Sequence, residues 1–131
     1  MILRERPPDA RQALAREGER AAELELRRSG LRVLERRFRV RLGEIDLIAS
    51  RGDLLVFVEV KTRRSTSYGS PAEAVGPVKR ARMARVAELY LQRAGRTSSP
   101  CRFDVVEVYA GPRGIERVKH IEDAFRLWPT G

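Results

Sequence analysis

Three charged residues stand inside a stretch that otherwise reads as core. The segment GEIDLIASRGDLLVFVEVKTR, residues 43–63, is rich in Ile, Leu, Val and Phe, yet it carries Asp46, Glu59 and Lys61. Gly52-Asp53 fits a two-residue hairpin turn with Gly first, and any even-length loop centred there gives the same pairing. Leu47 then opposes Val58, Ile45 opposes Val60 and Ile48 opposes Phe57, apolar against apolar on both faces. The same arithmetic sets Asp46 opposite Glu59 and Glu44 opposite Lys61, and regular alternation sends all four to one face.

Two carboxylates directly opposed on neighbouring strands, with Cβ atoms about 5 Å apart, repel unless something neutralises them. A divalent cation does so directly. Oxygen ligands alone suit Mg²⁺ or Mn²⁺, and the chain, with one His and one Cys, has no ligand set for a softer metal. The backbone carbonyl of Val60 lies between the two acidic residues and could add a further oxygen. Lys61, two residues past Glu59, is placed to hold or deprotonate water, or to stabilise charge on a phosphate; an Arg could do only the last of these well. Lys occurs only at 61, 79 and 119 among 27 basic residues, which makes its use here pointed. A plainer reading is an ordinary Glu44–Lys61 cross-strand ion pair, with Asp46 or Glu59 turned to water at the strand ends. The apolar flanks of the second strand weigh against it, because they make unpaired charge costly.

The elements that must position these residues follow from pattern. Residues 9–29 suit a helix capped by Asp9 and stopped by Gly30. Its stripe Ala15, Glu19, Ala22, Leu26 sets Glu19 in an apolar line. Residues 31–41 read as a strand with Leu34, Phe38 and Val40 on one side and Leu31 and Val33 on the other. After the hairpin, residues 62–70 form a polar, basic loop. Ser70-Pro71-Ala72-Glu73 has the form of a capping box that starts a short helix, and Gly76-Pro77 restarts a longer one ending at Gly95. Residues 102–110 form another strand, GPRG at 111–114 a turn, and IERVKHI a last strand. A helical turn within EDAFRLWPTG would then bring Phe125 and Trp128 onto the core. The order is helix, three strands, helix, two strands. It predicts an α/β fold, a central mixed sheet of about five strands flanked by helices. A chain of 131 residues makes one domain, with short tails over 1–8 and 126–131.

Composition narrows the partners. A hydrophobic fraction of 42% is that of a globular protein. The longest apolar run, Leu54 to Val58, is far too short to cross a bilayer, and MILRERPPD lacks the apolar core of a signal peptide; the expected location is the cytoplasm. Lone Cys101 reads as a small buried hydrophobe. A net charge of +9 points to a polyanion, since clustered Arg and Lys release counterions from phosphate backbones. The heavy use of Arg and the absence of Asn also suit a genome-wide or thermal bias.

An Asp on one strand, Glu-x-Lys on the next and a preceding helix bearing Glu resemble the PD-(D/E)xK nuclease superfamily, the restriction-endonuclease-like fold shared with Holliday junction resolvases. The similarity is closer to the bacterial YraN family. It rests on Gly18-Glu19, Gly43-Glu44-Ile45-Asp46-Leu47-Ile48, Phe57-Val58-Glu59-Val60-Lys61, Tyr68-Gly69-Ser70-Pro71, Lys79 and Arg102-Phe103-Asp104, from about Arg11 to Phe125. Ile45 stands where the superfamily name has Pro. The resemblance implies metal binding by Asp46 and Glu59, a catalytic Lys61, and Glu19 completing or hydrogen-bonding the site, as a further ligand or a neighbour. Arg63, Arg64 and Tyr68, on the loop leaving the strand, are the expected nucleic-acid contacts, with Lys79 and Arg82 facing the same groove from the second long helix. Expected activities are a Mg²⁺- or Mn²⁺-dependent nuclease acting on DNA, with branched or repair intermediates as the expected substrates, and a non-catalytic nucleic-acid-binding module on the same fold. A scaffold whose charge reflects composition alone is the third. By analogy with resolvases, a homodimer is expected.

Overall fold

A computed structural model describes residues 10–64 and 75–126. Helix α1 (Ala10–Arg28) is followed by strands β1 (Arg32–Val40), β2 (Gly43–Arg51) and β3 (Leu54–Arg64), helix α2 (Pro77–Ala94), and strands β4 (Cys101–Gly111) and β5 (Gly114–Phe125). The strands lie side by side in sequence order in one five-stranded sheet, with β3 and β4 parallel and every other pair antiparallel. Helix α2 supplies the crossover that a parallel pair requires. The architecture is the expected α/β one, a mixed sheet between two helices, consistent with a restriction-endonuclease-like fold. No helix among the described residues is long and apolar enough to cross a membrane.

Each helix buries a stripe on its own face of the sheet. Ala22 and Leu26 of α1 pack with Leu47, Ala49, Val56, Val58, Val106 and Val108. Met83, Val86, Ala87 and Leu91 of α2 pack on the other face with Ile45, Ile48, Leu55, Phe57, Phe103 and Val105. Both helices end in the same way. Leu31 N–H donates to the Leu26 carbonyl and Gly30 N–H to that of Arg27; Arg96 and Gly95 repeat the pattern on Leu91 and Gln92. Leu31 and Leu26 are both buried, each contributing roughly 1.5–3 kcal/mol of apolar burial. The two sides expected for β1 are observed, with Leu34, Phe38 and Val40 against the α2 cluster and Val33 and Leu31 against the α1 cluster.

The hairpin turn is Gly52-Asp53, with Gly52 at φ 58, a region that glycine enters without a Cβ penalty. Gly18 answers a different need. A Cβ there would lie 1.9 Å from Thr62 Oγ1, so α1 approaches the end of β3 only because residue 18 has no side chain. Phe125 reaches the core as expected, but from the end of a longer β5 and not from a helical turn. The β4–β5 register shifts between Phe103 and Val105, and Asp123 sits at φ 51; together they bring Phe125 back over Phe103, ring centroids 5.0 Å apart. The expected helix start at Ser70–Glu73, Trp128 and the capping Asp9 lie outside the described residues.

Candidate functional site

The expected register holds for the inner half of the hairpin and fails at its outer end. Leu47 pairs with Val58 and Ile48 with Phe57, but the β2–β3 ladder stops at Leu47. Asp46 and Glu59, Ile45 and Val60, and Glu44 and Lys61 are therefore not ladder partners. The cause is a flip of the pleat. Residues two apart in a regular strand share a face, yet Ile45 packs in the α2 cluster and Leu47 in the α1 cluster. The neighbouring strand flips at the same level. Arg36 pairs with Glu23 of α1, Phe38 stacks edge-on against Tyr90 of α2, and Arg37 between them has φ 52. Asp46 sits at this break, where its carboxylate replaces a ladder bond: Oδ2 accepts the Val60 N–H at 2.8 Å.

Glu59 is buried on the α2 face and is gripped by two ammonium groups. Lys79 of α2 forms a close ion pair with Oε1, and Lys61 Nζ lies 3.4 Å from the same oxygen. Burial, then the negative charge of Glu59, pushes the Asp46 carboxyl up to about 7, against the pull of the Val60 N–H. Glu19 adds a smaller push in the same direction. Burial, followed by the neighbouring Lys79, holds Lys61 below the ordinary lysine value although Glu59 opposes it. For Lys79 burial acts downward too, but the Glu59 hydrogen bond and charge outweigh it and leave Lys79 raised. Asp46 and Glu59 line an open cleft of about 720 Å³, walled by Gly43 and Glu44 on one side and by the first turns of α2, with Lys79 and Arg82, on the other.

The remaining expected residues fall around this centre. Glu19 lies on the α1 side, ion-paired with Arg37 at 2.9 Å, and lines a separate cleft of about 310 Å³ with Arg16, Arg20 and Glu23. It acts on Asp46 through charge and not through a hydrogen bond. Glu44 pairs with Arg39 at 2.8 Å and not with Lys61, because β2 has left β3 before reaching it. Val60 contributes its amide to Asp46, with its strand in parallel register beside Val106. Arg63 lies near Glu107, Nε to Oε1 3.9 Å, and Arg64 is exposed at the end of β3. Tyr68 lies outside the described residues. Among the described residues, no three or more His, Cys, Asp or Glu side chains gather as a metal cage, which leaves Asp46 and Glu59 as the candidate donor pair.

Residues 18–108 match the uncharacterised protein family UPF0102, the YraN family that the motifs resemble. The chain belongs to this family. A UPF0102 protein of Symbiobacterium thermophilum is 56% identical over 108 residues, covering 82% of this chain and 92% of that relative. One from Pelotomaculum thermopropionicum is 45% identical over 118 residues, 89% of this chain and 98% of the relative. One from Rhodococcus jostii is 47% identical over 113 residues, 86% and 96% respectively. The UPF0102 match takes in Glu19, Asp46, Glu59, Lys61, Lys79 and Arg82 and ends within β4, before β5 begins.

Two polar clusters escaped the sequence reading in whole or in part. Asp104 is fully buried and saturated: Arg102 donates to both of its oxygens at 2.8 and 2.9 Å, His120 Nε2 lies 2.7 Å away, and the Asp123 N–H donates at 2.9 Å. The Arg102 pair is local to β4, and the contact with His120 ties β4 to β5. Glu107 is also fully buried, with the Tyr109 hydroxyl donating to Oε2. Its signal was a lone Glu within the apolar run VVEVYA.

Proposed function

We propose that this protein is a divalent-metal-dependent nuclease that hydrolyses phosphodiester bonds in DNA, with branched or repair intermediates as the favoured class, acting in the cytoplasm and as a homodimer on symmetric substrates. One observation carries the reading. Asp46 and Glu59 are held together against their mutual repulsion, beside a lysine of lowered pKa, in an open cleft whose wall carries Lys79 and Arg82.

The donor chemistry fits a hard cation. Asp46, pushed up to about 7 by burial and by Glu59, is the carboxylate whose charge a doubly charged ion would favour, and oxygen donors suit a hard one. Asp46 and Glu59 would hold Mg²⁺ or Mn²⁺, with the Val60 carbonyl as a further oxygen. When bound, such an ion supplies Lewis-acid polarisation of the phosphate and acidifies water. The chain supplies the rest. The Val60 N–H fixes the Asp46 carboxylate, and Lys61, its pKa lowered first by burial, would set its Nζ beside Glu59 to orient water or meet charge on the phosphate. Lys79 and Arg82, beside the N-terminus of α2, which lacks a side-chain cap, favour a phosphate in the cleft. Arg63 and Arg64, at the end of β3, would extend the contact along the nucleic-acid backbone.

The non-catalytic alternative has one observation in its favour: Lys79 already neutralises Glu59, and a protein that binds nucleic acid without metal would keep that pair. A cleavage screen separates the two. Wild type should cut branched, duplex or single-stranded DNA in Mg²⁺ or Mn²⁺, and Asp46→Ala and Lys61→Ala should lose cleavage while remaining folded. Salt-sensitive binding that ignores both metal and Asp46→Ala, without cleavage, selects the binding module.

A further inference from the structure

Glu107 is the buried charge that the cleft leaves unexplained. Among the described residues its Oε1 is the buried side-chain atom with no hydrogen-bond partner, although the residue is fully buried. Its other oxygen is occupied by the Tyr109 hydroxyl, and the Tyr109 ring is itself covered by the Arg117 guanidinium at 4.2 Å. Strand β4 is thus anchored, and Glu107 has little freedom to turn away. The cation facing Oε1 is Arg63, whose Nε stands 3.9 Å off. Arg63 is two residues beyond Lys61, and Lys61 is the register neighbour of Glu107 across the parallel β3–β4 pair. By alternation Glu59, Lys61 and Arg63 follow one another along one face of β3, with Glu107 and Tyr109 beside them on β4.

A buried carboxylate with an unsatisfied oxygen is costly and calls for a reason. The ion pair with Arg63, at 3.9 Å longer than a hydrogen bond, supplies one, because of the nitrogen it uses. Nε is the nitrogen nearest the carboxylate, and among the described residues no hydrogen bond ties the guanidinium, so its two terminal nitrogens can serve an outside acceptor. A guanidinium held from behind in this way presents the planar fork that matches a phosphate bidentately.

We propose that Glu107 is a positioning residue: it orients Arg63 through Nε so that the terminal fork meets a phosphodiester of the strand lying past Glu59 and Lys61. The proposal rests on the nucleic-acid reading above, but not on cleavage. Its test is fluorescence anisotropy of labelled duplex and four-way-junction DNA with the full chain, in buffer free of divalent metal. Glu107→Gln keeps the volume and the acceptor for Tyr109 and removes the charge. It should weaken binding about five- to tenfold, the scale of one charge-assisted contact, and lower the salt slope by about one phosphate. Arg63→Ala should weaken binding to a similar degree, and the double variant no further than Arg63→Ala alone, a coupling that a purely structural Glu107 would not produce. Arg63→Lys keeps the charge without Nε and should lose affinity as Glu107→Gln does, whether or not the latter folds. Unchanged affinity in the folded Glu107→Gln or in Arg63→Lys, or additive losses in the double variant, would overturn the proposal while leaving the nuclease reading intact. Wild type that binds neither DNA overturns the proposal, and the nuclease reading with it if Ca²⁺ does not restore binding.

Discussion

Replacing Asp46 with Asn should stabilise the metal-free protein, an unusual outcome for a change at a hydrogen-bonded residue near the core. The carboxyl of Asp46 titrates at about 7 in the fold against 3.8 in the unconstrained chain. At ~1.4 kcal/mol per pH unit, that difference corresponds to about 4 kcal/mol of destabilisation once the group is ionised. The sign follows from proton binding. Between pH 4 and 7 the folded state keeps a proton that the unfolded chain has released, so this group's favourable contribution is complete below pH 3.8 and disappears as pH rises through 7. Asn carries no charge, retains an oxygen for the Val60 N–H and can donate to Glu59. Urea unfolding at pH 8 in the presence of a chelator should therefore show Asp46→Asn more stable than wild type by about 2–4 kcal/mol, with the gain shrinking towards pH 4. Mn²⁺ should stabilise wild type at pH 8 and leave Asp46→Asn unmoved. Equal or lower stability of the variant at pH 8, or a pH slope unchanged by the substitution, would refute the strained carboxylate pair.

Two further outcomes follow from contacts elsewhere in the fold. Gly18→Ala should destabilise by about 1–3 kcal/mol, because its Cβ meets Thr62 Oγ1; thermal unfolding of Gly18→Ala with Thr62→Ala should recover part of the loss. Asp104 is held below the usual carboxylate range: burial pushes it up, but His120, Arg102 and the Asp123 N–H together outweigh burial. Its contribution is present above pH 3.8 and is lost as pH falls through the lower folded value, and Asp104→Ala, which strands Arg102 and His120, should cost about 3–5 kcal/mol in a neutral-pH denaturant titration.

Much of this was legible in the sequence because it depends on local rules. Gly52-Asp53 fixed the inner hairpin register, Gly30 and Gly95 the helix ends, and the 45-47-48 and 55-57-58 apolar sets the strand assignments. What was hidden depends on contacts between distant elements. Arg37 adopts a left-handed conformation with nothing in its type to announce it, and the pleat flip there turns Asp46 from a face-pointing residue into one that reaches across to Val60. Glu44 consequently meets Arg39, and Glu19, placed near the site by its apolar stripe, meets Arg37. Phe125 was expected on the core by way of a helical turn, whereas the Asp123 bend lets a strand carry it there.

The central claim is that Asp46 and Glu59 together hold a divalent cation. Calorimetric titration of Mn²⁺ into wild type and Asp46→Ala at pH 7.5 tests it most directly. Saturable binding to wild type with release of a fraction of a proton, abolished in Asp46→Ala, is the predicted result. No binding to wild type, or equal binding to both proteins, would contradict it.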